Sequence, residues 1–209
     1  MAEQVPLGIA DAAVPRGSHT RGSHICTFFS GSAQRDDVVV PFLAEGIRSG
    51  QKCVAVLEPP GPRDLLTRLG GQVDQGHSVE TGQLELPAPA DAYLRSGQFS
   101  TEDMLGYWRE VATATQDAAR SSFIGATGEM QSVLDHPDGR AEFFRYESLL
   151  TAVISALPEV VVYDLERFGA EVLMDTLRTH PRVIVGGLIH DNRYYIEPGK
   201  FLTARGITR

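Results

Sequence analysis

Where a nucleotide-binding protein carries G-x-x-x-x-G-K-[ST], this chain reads Ser30-Gly31-Ser32-Ala33-Gln34-Arg35-Asp36-Asp37. A phosphate loop needs a lysine to reach the β/γ-phosphates and a neighbouring hydroxyl to hold Mg²⁺. Neither is in place: the lysines of the chain are Lys52 and Lys200, and Asp36 and Asp37 are expected to repel a triphosphate. The run from Ser23 to Glu58 therefore reads as strand, loop, helix and strand, a nucleotide-hydrolase architecture whose cradle has been given to another ligand.

Other reactive side chains stand near predicted strand ends. Glu129 follows a strand by way of Thr127-Gly128, which aims its carboxylate at the edge crevice where an ATPase holds its metal or water-activating acid. A glutamate favoured by a helix dipole in the first turn explains the same residue. Tyr163, Asp164 and Arg167, in the run Tyr163-Asp164-Leu165-Glu166-Arg167-Phe168, offer the apolar wall and few polar groups of a small-ligand pocket. The plainer reading is a weak surface pair of Arg167 with Asp164 or Glu166. Phe28 and Phe29 serve as pocket wall or as core. His24 opens the first strand, at the end opposite the crevice, and reads equally as a ligand contact or as an imidazole satisfied by a backbone carbonyl. His190, in a segment expected to be a loop on the ligand edge, either closes over a bound molecule or is solvated. His180-Pro181 reads as a structural turn. No G-x-S-x-G elbow, H-E-x-x-H helix or C-x-x-C pair occurs, and the histidines lack the sequence spacing of metal ligands. No catalytic residue, metal or cofactor is expected.

The elements that position these groups follow from apolar periodicity. Ile25 to Phe29, Lys52 to Leu57, Phe123 to Ala126, Val160 to Tyr163 and Arg182 to Gly187 read as buried strands, with a short one at 83–86. Helices are expected after Asp36-Asp37, around Leu65 to Leu69, from Ser100 to about Arg120, from Arg140 to Leu157, and from Ala170 to Thr179. Ser100 is the predicted cap of its helix, with Glu102 and Asp103 in the first turn. Strands alternating with helices predict an α/β fold: a mostly parallel central sheet with helices on both faces. Residues 1–21, which include a protease-site-like Val14-Pro15-Arg16-Gly17-Ser18-His19, are read as a flexible segment, and 198–209 as a surface tail.

Composition narrows the class. The chain has 209 residues, 42% hydrophobic and 22% charged, enough for one α/β core. Its apolar runs are strand length, well short of the roughly 20 residues of a membrane helix. A formal charge of -8 without a Lys/Arg block disfavours direct nucleic-acid binding. Cys26 and Cys53 sit within apolar strands and match no disulfide framework. With no export signal visible, a reducing cytoplasm is expected.

Several runs in order resemble one family. These are Ser23-His24-Ile25-Cys26-Thr27-Phe28-Phe29, Val40 to Ile47, Gly50-Gln51-Lys52-Cys53, Ala92-Tyr93-Leu94, Trp108-Arg109-Glu110, Thr127-Gly128-Glu129-Met130, Tyr146-Glu147, Tyr163 to Phe168, and Leu177-Arg178-Thr179-His180-Pro181 leading into Val183 to Gly187. Together they resemble the MEDS family, the methanogen/methylotroph DcmR-type sensory domain, over roughly residues 22–197. Thr151 departs from the asparagine that often follows the Tyr-Glu motif. That family is itself similar to KaiC/RecA-like ATPases with the phosphate loop lost, which implies a three-layer sandwich. The resemblance implies a sensory or regulatory domain of bacterial signal transduction or transcription control. Its ligand is expected to be a small apolar or hydrocarbon-derived molecule, and its output a protein partner such as a kinase or regulator, with homo-oligomerisation open. A divergent nucleotide hydrolase using the same crevice, or a ligand-free interaction protein, are the alternatives.

Overall fold

The computed structural model describes residues 24–58, 61–117, 124–129, 131–134, 139–153 and 159–207. Seven strands form one sheet: β1 (His24–Phe29), β2 (Lys52–Val56), β3 (Leu84–Glu85), β4 (Ile124–Glu129), β5 (Glu159–Asp164), β6 (Arg182–Val185) and β7 (Leu188–Asp191), in the order β3-β2-β4-β5-β1-β6-β7. All neighbouring pairs are parallel except β6 with β7, which is antiparallel. The predicted mostly parallel sheet with helices on both faces is therefore observed.

Each face of the sheet has its own core, because side chains alternate along each strand. On one side Ile25 and Phe29 of β1 and Cys53 and Ala55 of β2 pack against α1 (Gly31–Arg48) and α2 (Gly61–Leu69). Leu43, Leu65 and Leu69 are fully buried there, and each contributes about 1.5–3 kcal/mol by leaving water. On the other side Cys26 of β1 and Val161 and Tyr163 of β5 meet α5 (Thr101–Asp117), α7 (Gly139–Val153), α8 (Ala170–Thr179) and α9 (Pro198–Arg205). Trp108 of α5 donates its indole N–H to the Tyr146 hydroxyl of α7 at 2.7 Å, which ties the two longest helices of this layer.

α1 begins one residue after β1, on Gly31 at φ 76°, and is halted at Gly50, φ 72°. Pro41 lies inside it and removes one helical N–H, but Val39, Val40, Phe42, Leu43 and Ala44 hold the helix to the sheet. The predicted cap of α5 is present, the Ser100 hydroxyl accepting the Asp103 N–H at 3.2 Å.

Several boundaries differ from expectation. β4 runs to Glu129, so that residue ends the strand instead of opening a helix. The loop expected around His190 is β7, paired antiparallel with β6 through Gly186-Gly187, both at positive φ. The expected tail from Pro198 is α9, capped by the Glu197 carboxylate on the Lys200 N–H and anchored by buried Phe201 and Leu202. Two apolar residues in a polar segment were too weak a periodic signal to show this. Short helices α3 (Gln75–Glu80), α4 (Pro89–Tyr93) and α6 (Gln131–Leu134) complete the chain. Residues 1–21 and most of the expected turn at His136 to Gly139 lie outside the described residues. Among the described residues no helix is long and apolar enough to cross a membrane.

Candidate functional site

At the carboxyl edge, where open α/β sheets bind ligands, Ser30 alone joins β1 to α1. Its hydroxyl donates to Glu166 Oε1 in the turn after β5, and the Leu165 N–H donates to the Phe29 carbonyl at 2.8 Å. Asp36 and Asp37 do not face an open cradle. Arg35 Nε donates to Asp36 Oδ1 at 2.8 Å, and Arg68 of α2 reaches Asp37 Oδ1 at 2.6 Å and Asp36 Oδ2 at 3.6 Å. Their charges tie α2 to α1. Arg35 is buried against Gly61, where a Cβ would stand 2.6 Å from the guanidinium.

At the opposite edge the structure assembles a buried polar cluster. His24 starts β1, Glu147 projects from α7, and His180 caps the end of α8 just before β6. The β1–β6 register, Ile25 beside Arg182, brings the two histidines together, their rings 3.9 Å apart. Glu147 Oε2 lies 3.0 Å from His24 Nε2 and 3.1 Å from His180 Nε2, with all three side chains at 0% exposure. The outer ring nitrogens are held too: His24 Nδ1 is 3.0 Å from Thr151 Oγ1, and His180 Nδ1 is 2.8 Å from the Thr176 carbonyl and 3.1 Å from Thr179 Oγ1.

The inner distances are those of ion pairs, yet the angles are not those of hydrogen bonds. Both Nε2 atoms and both Glu147 oxygens are buried without a hydrogen-bond partner among the described residues. Charge attraction, where a ring is protonated, acts at 3 Å whatever the angle, whereas a hydrogen bond does not. Burial pushes the His24 pKa down to about 4, helped by the nearby His180 and opposed by Glu147. Burial alone would raise the Glu147 carboxyl, but the two imidazoles beside it prevail and hold it at about 2. Burial, with the Glu147 charge, pushes the Cys26 thiol up, so it behaves as an inert small hydrophobe.

The residues singled out in the sequence divide between these places. His24, Phe28 and Tyr163 share one sheet face: the Tyr163 ring lies 6.0 Å from Phe28, 6.1 Å from Phe168 and 5.9 Å from His180. Phe29 is buried on the other face. Asp164 and Arg167 stand together at the carboxyl edge, with Arg167 Nε 3.6 Å from Asp164 Oδ2. His190 is exposed on β7, away from that edge group. The Glu129 side chain lies outside the described residues. Sequence reasoning passed over Glu147 and His180 as site residues. A signal was present for Glu147, a carboxylate standing in the apolar stripe of Phe143, Phe144 and Leu150. For His180 there was none, since only the strand register carries it to His24.

Comparison with solved structures places the fold among KaiC-like proteins. A KaiC-like protein from the hyperthermophilic archaeon Pyrococcus horikoshii OT3 superposes with a TM-score of 0.53 at 14% identity, over 82% of this chain and 77% of that one. At sequence level, residues 23–181 match the model of the MEDS family, described as the methanogen/methylotroph, DcmR sensory domain, and the chain belongs to that family. The transcriptional repressor DcmR of Methylorubrum extorquens is 24% identical over 161 residues, 75% of this chain. The chain spans 57% of the length of that relative.

Proposed function

We propose that this protein senses a small molecule and passes its state to a protein partner that controls transcription or signalling in the cytoplasm. The observation that carries the reading is the aromatic group Phe28, Tyr163 and Phe168 on one face of the sheet, Tyr163 fully buried and Phe28 and Phe168 partly exposed, with the Asp164–Arg167 pair at the carboxyl end of β5. An apolar wall with few polar groups suits a small apolar or hydrocarbon-derived ligand carrying one polar atom. The sensory-domain family and the repressor relative support regulation as the output. A lysine-free β1–α1 junction closed by Ser30 and Glu166, with Arg35 packed on Gly61, favours a ligand other than a nucleotide in the crevice.

Thermal unfolding measured against a panel of short-chain alcohols, ketones and carboxylates, with nucleotides alongside, tests this. A saturable rise in midpoint with a non-nucleotide, weakened by Phe28→Ala or Arg167→Gln, is the expected result. No shift with any compound, from a protein that stays monomeric and captures no regulator, would remove the reading. Shifts with Mg²⁺-nucleotide alone would replace it with nucleotide binding.

A further inference from the structure

We propose that His24, Glu147 and His180 form a binding site for a divalent first-row transition ion, held by the two Nε2 atoms and the Glu147 carboxylate. The site lies at the amino edge of the sheet and does not depend on the sensory reading. Its three donor atoms all lie within 4.8 Å of one another. Donors about 2.1 Å from an ion stand about 3.0 Å apart at right angles and about 3.4 Å apart at the tetrahedral angle, and the two nitrogen-to-oxygen separations, 3.0 and 3.1 Å, are nearer the right-angled value. Two imidazoles and one carboxylate are a donor set suited to zinc or iron(II) rather than to magnesium or calcium.

The hydrogen-bond pattern decides between an ion and a proton. The Thr176 carbonyl can only accept, so the hydrogen on His180 sits on Nδ1, 2.8 Å away. In the neutral ring Nε2 then presents a lone pair to the Glu147 carboxylate at 3.1 Å, which is repulsive unless a cation lies between them. A second proton on Nε2 would make an ion pair with Glu147 at that distance, but would leave the buried N–H and carboxylate oxygen without the hydrogen bond that satisfies them. A metal ion, bound beside the line between the two atoms, accepts both lone pairs without requiring that angle. His24 has its Nδ1 beside the Thr151 hydroxyl, which can accept its hydrogen or donate to it, and its Nε2 beside the same carboxylate oxygen. An outer ring N–H given to a carbonyl or hydroxyl is how metal-binding histidines are oriented. Glu147 Oε1, buried and without a partner among the described residues, supplies a further donor atom.

The test uses the full chain made without a polyhistidine tag or a metal-chelate column. Elemental analysis is expected to find about one zinc or iron per chain. After removal by a chelator, the protein should take up Zn²⁺ against a chromophoric competitor, and Co²⁺ should give a visible spectrum with imidazole ligation. Glu147→Gln, which preserves volume, is expected to weaken Zn²⁺ binding at least about 100-fold while unfolding cooperatively. Thr151→Val touches only the outer nitrogen of His24 and should weaken it about 10–100-fold. His77→Asn, on exposed α3, should change nothing. If Glu147→Gln does not fold, Thr151→Val and the Co²⁺ spectrum of the wild type decide. Absence of uptake by the wild type, or equal affinity in wild type and Thr151→Val with no imidazole signature, overturns the site.

Discussion

Replacing Glu147 by alanine leaves the inner nitrogens of two buried imidazoles without a neighbour and is expected to cost about 1–3 kcal/mol of folding stability for each nitrogen stranded. Three observations set that magnitude. The three side chains have 0% exposure, so water cannot take the place of the carboxylate. One oxygen serves both rings, so a single substitution strips two nitrogens. Both outer nitrogens are already engaged, which prevents the rings from rotating to other partners. The exposed Arg140–Glu171 pair provides the contrast: with side chains 48% and 61% exposed, its loss in Glu171→Ala is expected to cost about 0–1 kcal/mol. Glu147→Gln fills the same volume and can donate an amide hydrogen to the His180 lone pair, so it should lose roughly half as much as the alanine variant. Urea unfolding at neutral pH with a chelator present, on all three variants, measures these differences as midpoint shifts at constant slope. An alanine variant within about 1 kcal/mol of wild type would show that Glu147 does not satisfy the two inner nitrogens.

The metal-free protein should also weaken on acidification. His24 titrates near 4 in the fold against 6.5 when unfolded, so the unfolded chain binds that proton first and stability falls as pH drops from 6.5 toward 4. Glu147, near 2 against 4.5, adds a second loss below 4.5. Urea midpoints through both windows measure this, and His24→Asn should flatten the upper one. Tyr146→Phe strands the buried Trp108 N–H and should cost about 1–3 kcal/mol, partly recovered when Trp108 is also replaced by phenylalanine. In Gly46→Ala the new Cβ stands 2.7 Å from the Cys53 sulfur, an overpacking worth about 1–3 kcal/mol. Cys53→Ala in the same chain should relieve most of it, read as coupling in a double-mutant cycle.

Much of the fold was legible because its strands are continuous apolar runs, which only a sheet covered on both faces accommodates. α5 announced itself through Ser100, Glu102 and Asp103, and the expected helix from Ala170 to Thr179 is α8. α9 and β7 did not, because α9 is fixed by two side chains meeting a distant core and β7 by pairing with one neighbour. The His–Glu–His cluster was illegible for a related reason. Its members lie on β1, α7 and the α8–β6 junction, and no local pattern encodes that β5 and β6, rather than β2, flank β1. Asp36 and Asp37 were read as hostile to phosphate; the structure pairs them with Arg35 and with Arg68, which comes from a different helix and could not be seen locally.

The strand order also has a consequence for biosynthesis. β1 is made about 130 residues ahead of β5 and further still ahead of β6, its two hydrogen-bonded neighbours. At about 5–20 residues per second, a newly made β1 waits roughly 7–27 seconds before β5 can cover its first edge. During that interval His24 to Phe29 is an apolar segment with open backbone on both sides, the sort of stretch that chaperones hold. A nascent chain stalled before Glu159 would keep β1 unpaired on both sides.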